Sequence, residues 1–221
     1  VALRAEFSFG GSLPRWRSSL DAALEKARGR KRLPLAEAIG LVRAWQVHAA
    51  YAAFQPLFDA ALQEDDARRY VIDNDVLVPT PDGASIAVML VRPAKAARLP
   101  ALLQFTIYAN DALYRRDAKA MAARGYVGVA AYSRGKGRSQ DAIAPFEHDG
   151  VDAAAVIDWV AAQPWSDGRV GMFGGSYNSF AQWAALKHRP KALKAIATSA
   201  SAAPGIDIPM EGGIFLNFMY P

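Results

Sequence analysis

Gly168-Arg169-Val170-Gly171-Met172-Phe173-Gly174-Gly175-Ser176-Tyr177-Asn178-Ser179 is the stretch on which the reading of this sequence turns. A short apolar strand, Val170–Phe173, runs into two glycines and a serine. Phe180, Trp183 and Ala184 then mark an amphipathic helix over Tyr177–Lys187. A turn this tight demands small residues beside the serine, and its strained backbone lifts Oγ clear of the sheet, which is the setting of a nucleophile elbow. The serine also stands at a helix N-terminus, where free N–H groups and the positive dipole end favour an oxyanion. The pentapeptide Gly-x-Ser-x-Gly would require Gly at 178, where this sequence has Asn178. Two other readings fit the turn: a serine that only caps the helix, and a phosphate-cradling loop. The latter lacks both Gly-x-Gly-x-x-Gly and Gly-Lys-Ser/Thr, and a dinucleotide-binding domain lacks its glycine fingerprint for the same reason.

Working outward, strands alternate with helices. Val71–Val78 and Ala84–Val91 flank the turn signature Pro81-Asp82-Gly83 and predict a hairpin. Leu99–Ile107 reads as a strand, Arg115–Ala123 as a helix stopped by Gly125, and Tyr126–Tyr132 as a buried strand. Gly150–Ala162 reads as a helix with Asp152 and Asp158 turned away from its apolar side, and Leu193–Ser199 as a further strand. A hairpin followed by such alternation predicts a mixed, mostly parallel sheet with helices on both faces.

Residues 1–68 differ in character and read as a helical extension. Leu13–Arg28 is rich in Ala and Leu, with Gly29 as a stop. From Pro34, the positions Leu35, Ile39, Val42, Ala49 and Ala53 fall on one helical face, and Pro56 should kink or end that helix. Trp45, Tyr51, Phe54 and Phe58 add surface to bury, so the extension reads as an accessory packed on the main domain or as an arm for a partner or a second copy.

The 221 residues are 52% hydrophobic and 21% charged, a globular composition. The net charge of +5 comes from scattered Lys and Arg, which reads as solvated surface and not as a nucleic-acid footprint. No apolar run approaches the roughly 18–20 residues of a membrane span. With no cysteine, disulfides, thiolate metal sites and cysteine nucleophiles are excluded. The sequence starts at Val1 without a signal peptide, which fits a mature exported protein or one trimmed at the front; a secreted or periplasmic location is the preferred expectation.

The run Trp165-Ser166-Asp167-Gly168-Arg169-Val170-Gly171-Met172-Phe173-Gly174-Gly175-Ser176-Tyr177 resembles the nucleophile region of the Xaa-Pro dipeptidyl-peptidase-like hydrolases, a family that includes cocaine esterase and the α-amino acid ester hydrolases. The tyrosine directly after the serine is the most telling residue. The family usually has Gly where this sequence has Ser179. Val78-Pro79-Thr80-Pro81-Asp82-Gly83 with Leu90-Val91-Arg92-Pro93 is similar to the family's opening hairpin, and Gly125-Tyr126-Val127 through Ser133-Arg134-Gly135 to a later segment, in order over residues 70–200.

The resemblance implies an α/β-hydrolase fold, incomplete in this chain, with its N-terminal part over residues 69–200 and the start of a cap insertion over 201–221. It implies Ser176 as nucleophile, the backbone N–H of Tyr177 as one oxyanion donor, and the hydroxyl of Tyr108 as the other, with Tyr114 as the neighbouring alternative. It implies an ester or amide substrate (an acyl ester, an α-amino acid ester or an N-terminal dipeptide), an acyl-enzyme, and neither metal nor organic cofactor.

A serine needs a base, and the base an orienting acid. His188 ends the helix that Ser176 opens, about 12 residues and ~18 Å along its axis, and is out of reach. His48 and His148 read as surface or packing residues, and Asp167, Asp207 and Glu211 as poor triad acids. The expectation is therefore a serine hydrolase whose acid and histidine come from the remainder of the same enzyme, a C-terminal part or a second chain. The rival is a non-catalytic hydrolase-like module kept for binding or assembly.

Overall fold

The structure, a computed structural model, describes residues 12–95 and 98–204, Ile206, and two short strands at 210–211 and 214–215. The chain divides into two compact units, Val1–Arg68 and Arg69–Pro221.

Among the described residues, the first unit is a pair of helices, α1 (Leu13–Ala27) and α2 (Leu35–Arg69). Pro14 sits in the first turn of α1, where its missing N–H costs nothing, and Gly29 at φ +73° ends the segment. Trp16, Tyr51, Phe54 and Phe58 form a ladder with ring centroids 5.4, 5.1 and 5.8 Å apart. The positions 51, 54 and 58 lie on one face of α2, as helical spacing requires. Among the described residues of this unit Leu20 is the buried one, whereas Leu35, Ile39, Val42 and Trp45 are exposed. Helix α2 does not end at Pro56 but runs through it to Arg69. The ring removes one intrahelical hydrogen bond, and the rest of the helix continues on both sides of it.

The second unit is built on a six-stranded sheet of order β1-β2-β4-β3-β5-β6. Its strands are β1 (Tyr70–Pro79), β2 (Ser85–Pro93), β3 (Leu99–Thr106), β4 (Val127–Tyr132), β5 (Ser166–Gly175) and β6 (Leu193–Ser199). The β1–β2 hairpin is antiparallel and joins β4 antiparallel; β4, β3, β5 and β6 run parallel. The hairpin turn closes through Gly83 N–H donating to Thr80 C=O at 3.0 Å, with Gly83 at φ +91°. The helices are α3 (Asp111–Ala122), α4 (Asp149–Ala162) and α5 (Tyr177–Lys187). Helix α3 starts earlier than the apolar pattern indicates, because Asn110 Oδ1 caps Leu113 N–H at 3.1 Å. Strands β7 (Met210–Glu211) and β8 (Ile214–Phe215) pair only with each other.

Alternation along the strands separates two layers. Ile86, Val88, Leu90, Val129 and Ala131 face the main core with Val156, Ile157, Val160, Ala181 and Ala185 of α4 and α5. Ala87, Met89, Val91, Ala130 and Tyr132 face the other way, towards α3. Helix α3 approaches β4 so closely that a Cβ on Gly128 would lie 2.3 Å from the Ala118 carbonyl oxygen. The helices thus sit on both faces, and the loops at the carboxyl ends of the parallel strands carry Tyr108 and Ser176.

Candidate active site

The turn between β5 and α5 holds Ser176 at φ 57°, ψ −123°. A non-glycine residue there is strained by roughly 1–3 kcal/mol, and it persists only where the surroundings enforce it. They do so from two sides. Ser176 N–H donates to the Ser199 carbonyl at 3.0 Å, and the Ser176 carbonyl accepts from Ser179 and Phe180 N–H at 3.0 and 3.1 Å. The flanking glycines leave room that side chains of neighbouring residues fill. A Cβ on Gly175 would meet Ser199 Oγ at 2.7 Å, and one on Gly174, at φ +132°, would meet Asn178 Cβ at 2.7 Å.

That contact explains Asn178 where the pentapeptide has glycine: its side chain occupies the space that the bare Gly174 leaves open. Ser179 is fully buried and its Oγ has no hydrogen-bond partner among the described residues. A hydroxyl in glycine's usual place is small enough for the turn but gains nothing there.

Beneath the turn, Gln182 is fully buried. Its Nε2 donates to the carbonyls of Gly174 and Asn178, each at 3.0 Å, and its Oε1 accepts from Ala197 N–H at 2.9 Å. One side chain thereby ties the end of β5, the first turn of α5 and β6 together.

Ser176 is exposed, and its Oγ lies 3.4 Å from the Tyr108 hydroxyl. Tyr108 follows β3, where its N–H donates to Thr106 Oγ1 at 3.1 Å. Tyr114, the alternative, is directed elsewhere: it is buried on the α3 layer with its hydroxyl 2.7 Å from Thr106 Oγ1. Tyr177 is 4% exposed and meets the Tyr108 ring edge-on with centroids 6.4 Å apart. Burial, then the nearby Asp149 charge, pushes the Tyr177 phenol above its ordinary range, so it stays protonated and donates to Asp149 Oδ1 at 2.8 Å.

The remaining candidates have surroundings of their own. His188 caps the C-terminal end of α5, with its ring against Gly150. His148 precedes α4 and stands 4.0 Å from the Glu147 carboxylate. His48 belongs to α2 of the first unit. Asp167 lies at the start of β5, the opposite end from Ser176, where Arg169 at 2.7 Å holds its carboxyl below the usual range. Asp207 and the Glu211 side chain fall outside the described residues.

Two buried acids escape the sequence reading. Asp152, expected to face solvent, is fully buried and takes Arg134 Nη2 at 2.7 Å and Nε at 3.1 Å. The same guanidinium reaches back to Asp82 in the hairpin turn at 2.8 and 3.1 Å. Burial raises the Asp152 carboxyl despite Arg134, whereas the exposed Asp82 is lowered by the Arg134 hydrogen bonds. Asp149, at 3% exposure, is the second. A period-3.6 pattern sends an acid in an apolar helix to the surface; only a distant donor such as Arg134 could have marked it as internal.

The family model described as X-Pro dipeptidyl-peptidase (S15 family) matches residues 82–220. The chain belongs to this family. Cocaine esterase of Rhodococcus sp. (strain MB1 Bresler) is 34% identical over 155 residues, covering 65% of this chain and 26% of the esterase. Among solved structures, an α-amino acid ester hydrolase superposes with a TM-score of 0.57 at 26% identity, over 64% of this chain and 27% of that one. A CocE/NonD family hydrolase from Staphylococcus aureus gives 0.52 at 26% identity, over 57% and 27%. The S15-family chain thus has the α/β-hydrolase architecture in its mostly parallel sheet, and it spans about a quarter of the length of these relatives.

Proposed function

We propose that the protein containing this S15-family segment is a serine hydrolase that cleaves an ester or amide through an acyl-enzyme. The observation that carries this reading is Ser176: a strained, exposed serine between strand and helix, its Oγ 3.4 Å from a tyrosine hydroxyl. In the proposed reaction Oγ bonds to the substrate carbonyl carbon while its proton passes to an imidazole. The carbonyl π electrons move onto oxygen, where the Tyr177 N–H and the Tyr108 hydroxyl donate to the developing charge. Collapse expels the alcohol or amine, which takes the proton from the imidazole. Water then cleaves the acyl-serine by the same route. The imidazole and its carboxylate partner come from the remainder of the enzyme. No step calls for a metal or an organic cofactor.

The relatives' names favour acyl esters and α-amino acid esters as the substrate class, with N-terminal dipeptides as the family's third option. The test is a fluorophosphonate probe applied to full-length protein from its natural source, with Ser176→Ala as control. The expected result is an adduct mapped to Ser176 and lost in the variant. A folded full-length protein that takes up no label at Ser176 would overturn the reading in favour of a hydrolase-like binding module.

A further inference from the structure

Behind the nucleophile turn lies a second polar cluster. Asp149 opens α4, yet its carboxylate takes donors from elsewhere in the chain. Oδ1 accepts from the Ser133 hydroxyl at 2.7 Å and the Tyr177 hydroxyl at 2.8 Å, and Oδ2 accepts from Phe146 N–H at 2.9 Å. These donors come from the loop after β4, the loop before α4 and the first residue of α5. Phe146 stands at φ 69°, a conformation a bulky residue adopts only when held there. The Phe146 N–H is shared with the Tyr177 hydroxyl at 3.2 Å, and its ring packs on Tyr177 and Phe180 at 4.9 and 5.0 Å. One buried carboxylate therefore grips Tyr177 by its hydroxyl. The other end of the same residue carries the N–H that follows Ser176, and its ring abuts Tyr108.

We propose that Asp149 is a positioning residue of the acyl-transfer site, anchoring Tyr177 so that its backbone N–H and the Tyr108 hydroxyl converge where the oxyanion forms; this rests on the serine-hydrolase reading of Ser176. A donor must be aimed at the oxyanion before it forms, and small displacements of such a group cost rate and not substrate affinity. Charge-assisted hydrogen bonds from three segments make the carboxylate a rigid anchor. Asp149→Asn keeps the shape but cannot satisfy all these donors, since its amide nitrogen must face one of them. Tyr177→Phe removes only the hydroxyl and leaves the bonds from Ser133 and Phe146 to Asp149 in place.

The experiment uses full-length protein carrying Asp149→Asn, Tyr177→Phe or both. It measures the rate of fluorophosphonate labelling at Ser176, kcat and KM on p-nitrophenyl acetate, and the melting temperature. Tyr177→Phe and Asp149→Asn should each lower the labelling rate and kcat by roughly tenfold with KM little changed, and the double variant should be no slower than the worse single one. Wild-type labelling rates in folded variants would overturn the proposal, as would losses that multiply in the double variant or that appear in KM alone. If Asp149→Asn does not fold, Tyr177→Phe decides by the same rates. Failure of the wild type itself to label at Ser176 is a different outcome: it removes the serine-hydrolase reading, whereas a labelled wild type with an equally fast Tyr177→Phe removes only the positioning role.

Discussion

Tyr108 and Ser176 lie 68 positions apart in the chain, and their hydroxyl oxygens stand 3.4 Å from one another. The gap is longer than the ~2.7–2.8 Å of a good O–H···O bond. It suits a donor waiting for an oxygen that will be bound to the same carbon as Oγ. Tyr108→Phe should therefore lower kcat on an ester by about 10²–10³-fold with KM little changed, as loss of one oxyanion donor does. With Tyr108 51% exposed, the variant should melt at the wild-type temperature. Steady-state kinetics and a thermal melt check both halves.

Gly174 and Asn178 form a matched pair in which one residue's bulk depends on the other's absence of it. Gly174→Ala should destabilise the protein by about 1–3 kcal/mol, from the clash with Asn178 and from a φ of +132° that alanine resists. Adding Asn178→Gly should recover the steric part and leave the backbone part. Urea unfolding of the three proteins separates the two contributions.

Gln182→Ala should cost about 2–4 kcal/mol, because it opens a cavity and strands the Ala197 N–H and two carbonyls beneath the turn. Chemical denaturation gives the stability, and Ser176 labelling should slow in parallel because the Gly174 carbonyl loses its anchor.

The Arg134 network gives stability a pH dependence on the acid side. Asp82 has a carboxyl lowered from 3.8 by the Arg134 hydrogen bonds, so its contribution is complete above that value and fades as pH falls below it. Asp152 works in the opposite sense, since burial raises it and favours the protonated form. Comparing wild type with Asp82→Asn isolates the first acid. The gap in melting temperature should hold steady from pH 7 to about 4 and narrow below it; a gap that widens on acidification would refute the assignment.

Much of this architecture can be read from local chemistry. Pro81-Asp82-Gly83 announces the hairpin, and the passage from Val170–Phe173 through Gly174-Gly175 into Tyr177–Lys187 announces the elbow, because each is fixed by residues that are neighbours in sequence. Asp149, Asp152 and Gln182 were not legible, since each is a polar residue on a helix held in part by a partner 15 to 28 positions away. Tyr108 was preferred to Tyr114 on the family resemblance alone, since residue type is identical; it is the start of α3 at Asp111 that sends one hydroxyl to Ser176 and the other to Thr106. In the helical extension, Pro56 is a strong local breaker, and α2 nevertheless passes through it.

The bond from Ser176 N–H to the Ser199 carbonyl carries one more implication. The nucleophile and the strand end that holds it are joined through the short stretch between Lys187 and Leu193. A single proteolytic nick there would place them on separate peptides while leaving the parallel pairing of β5 with β6 to keep them together. Reassembly of the two pieces would then restore the bond from Ser176 N–H to the Ser199 carbonyl, which makes this turn a natural place to divide the chain into a complementing pair.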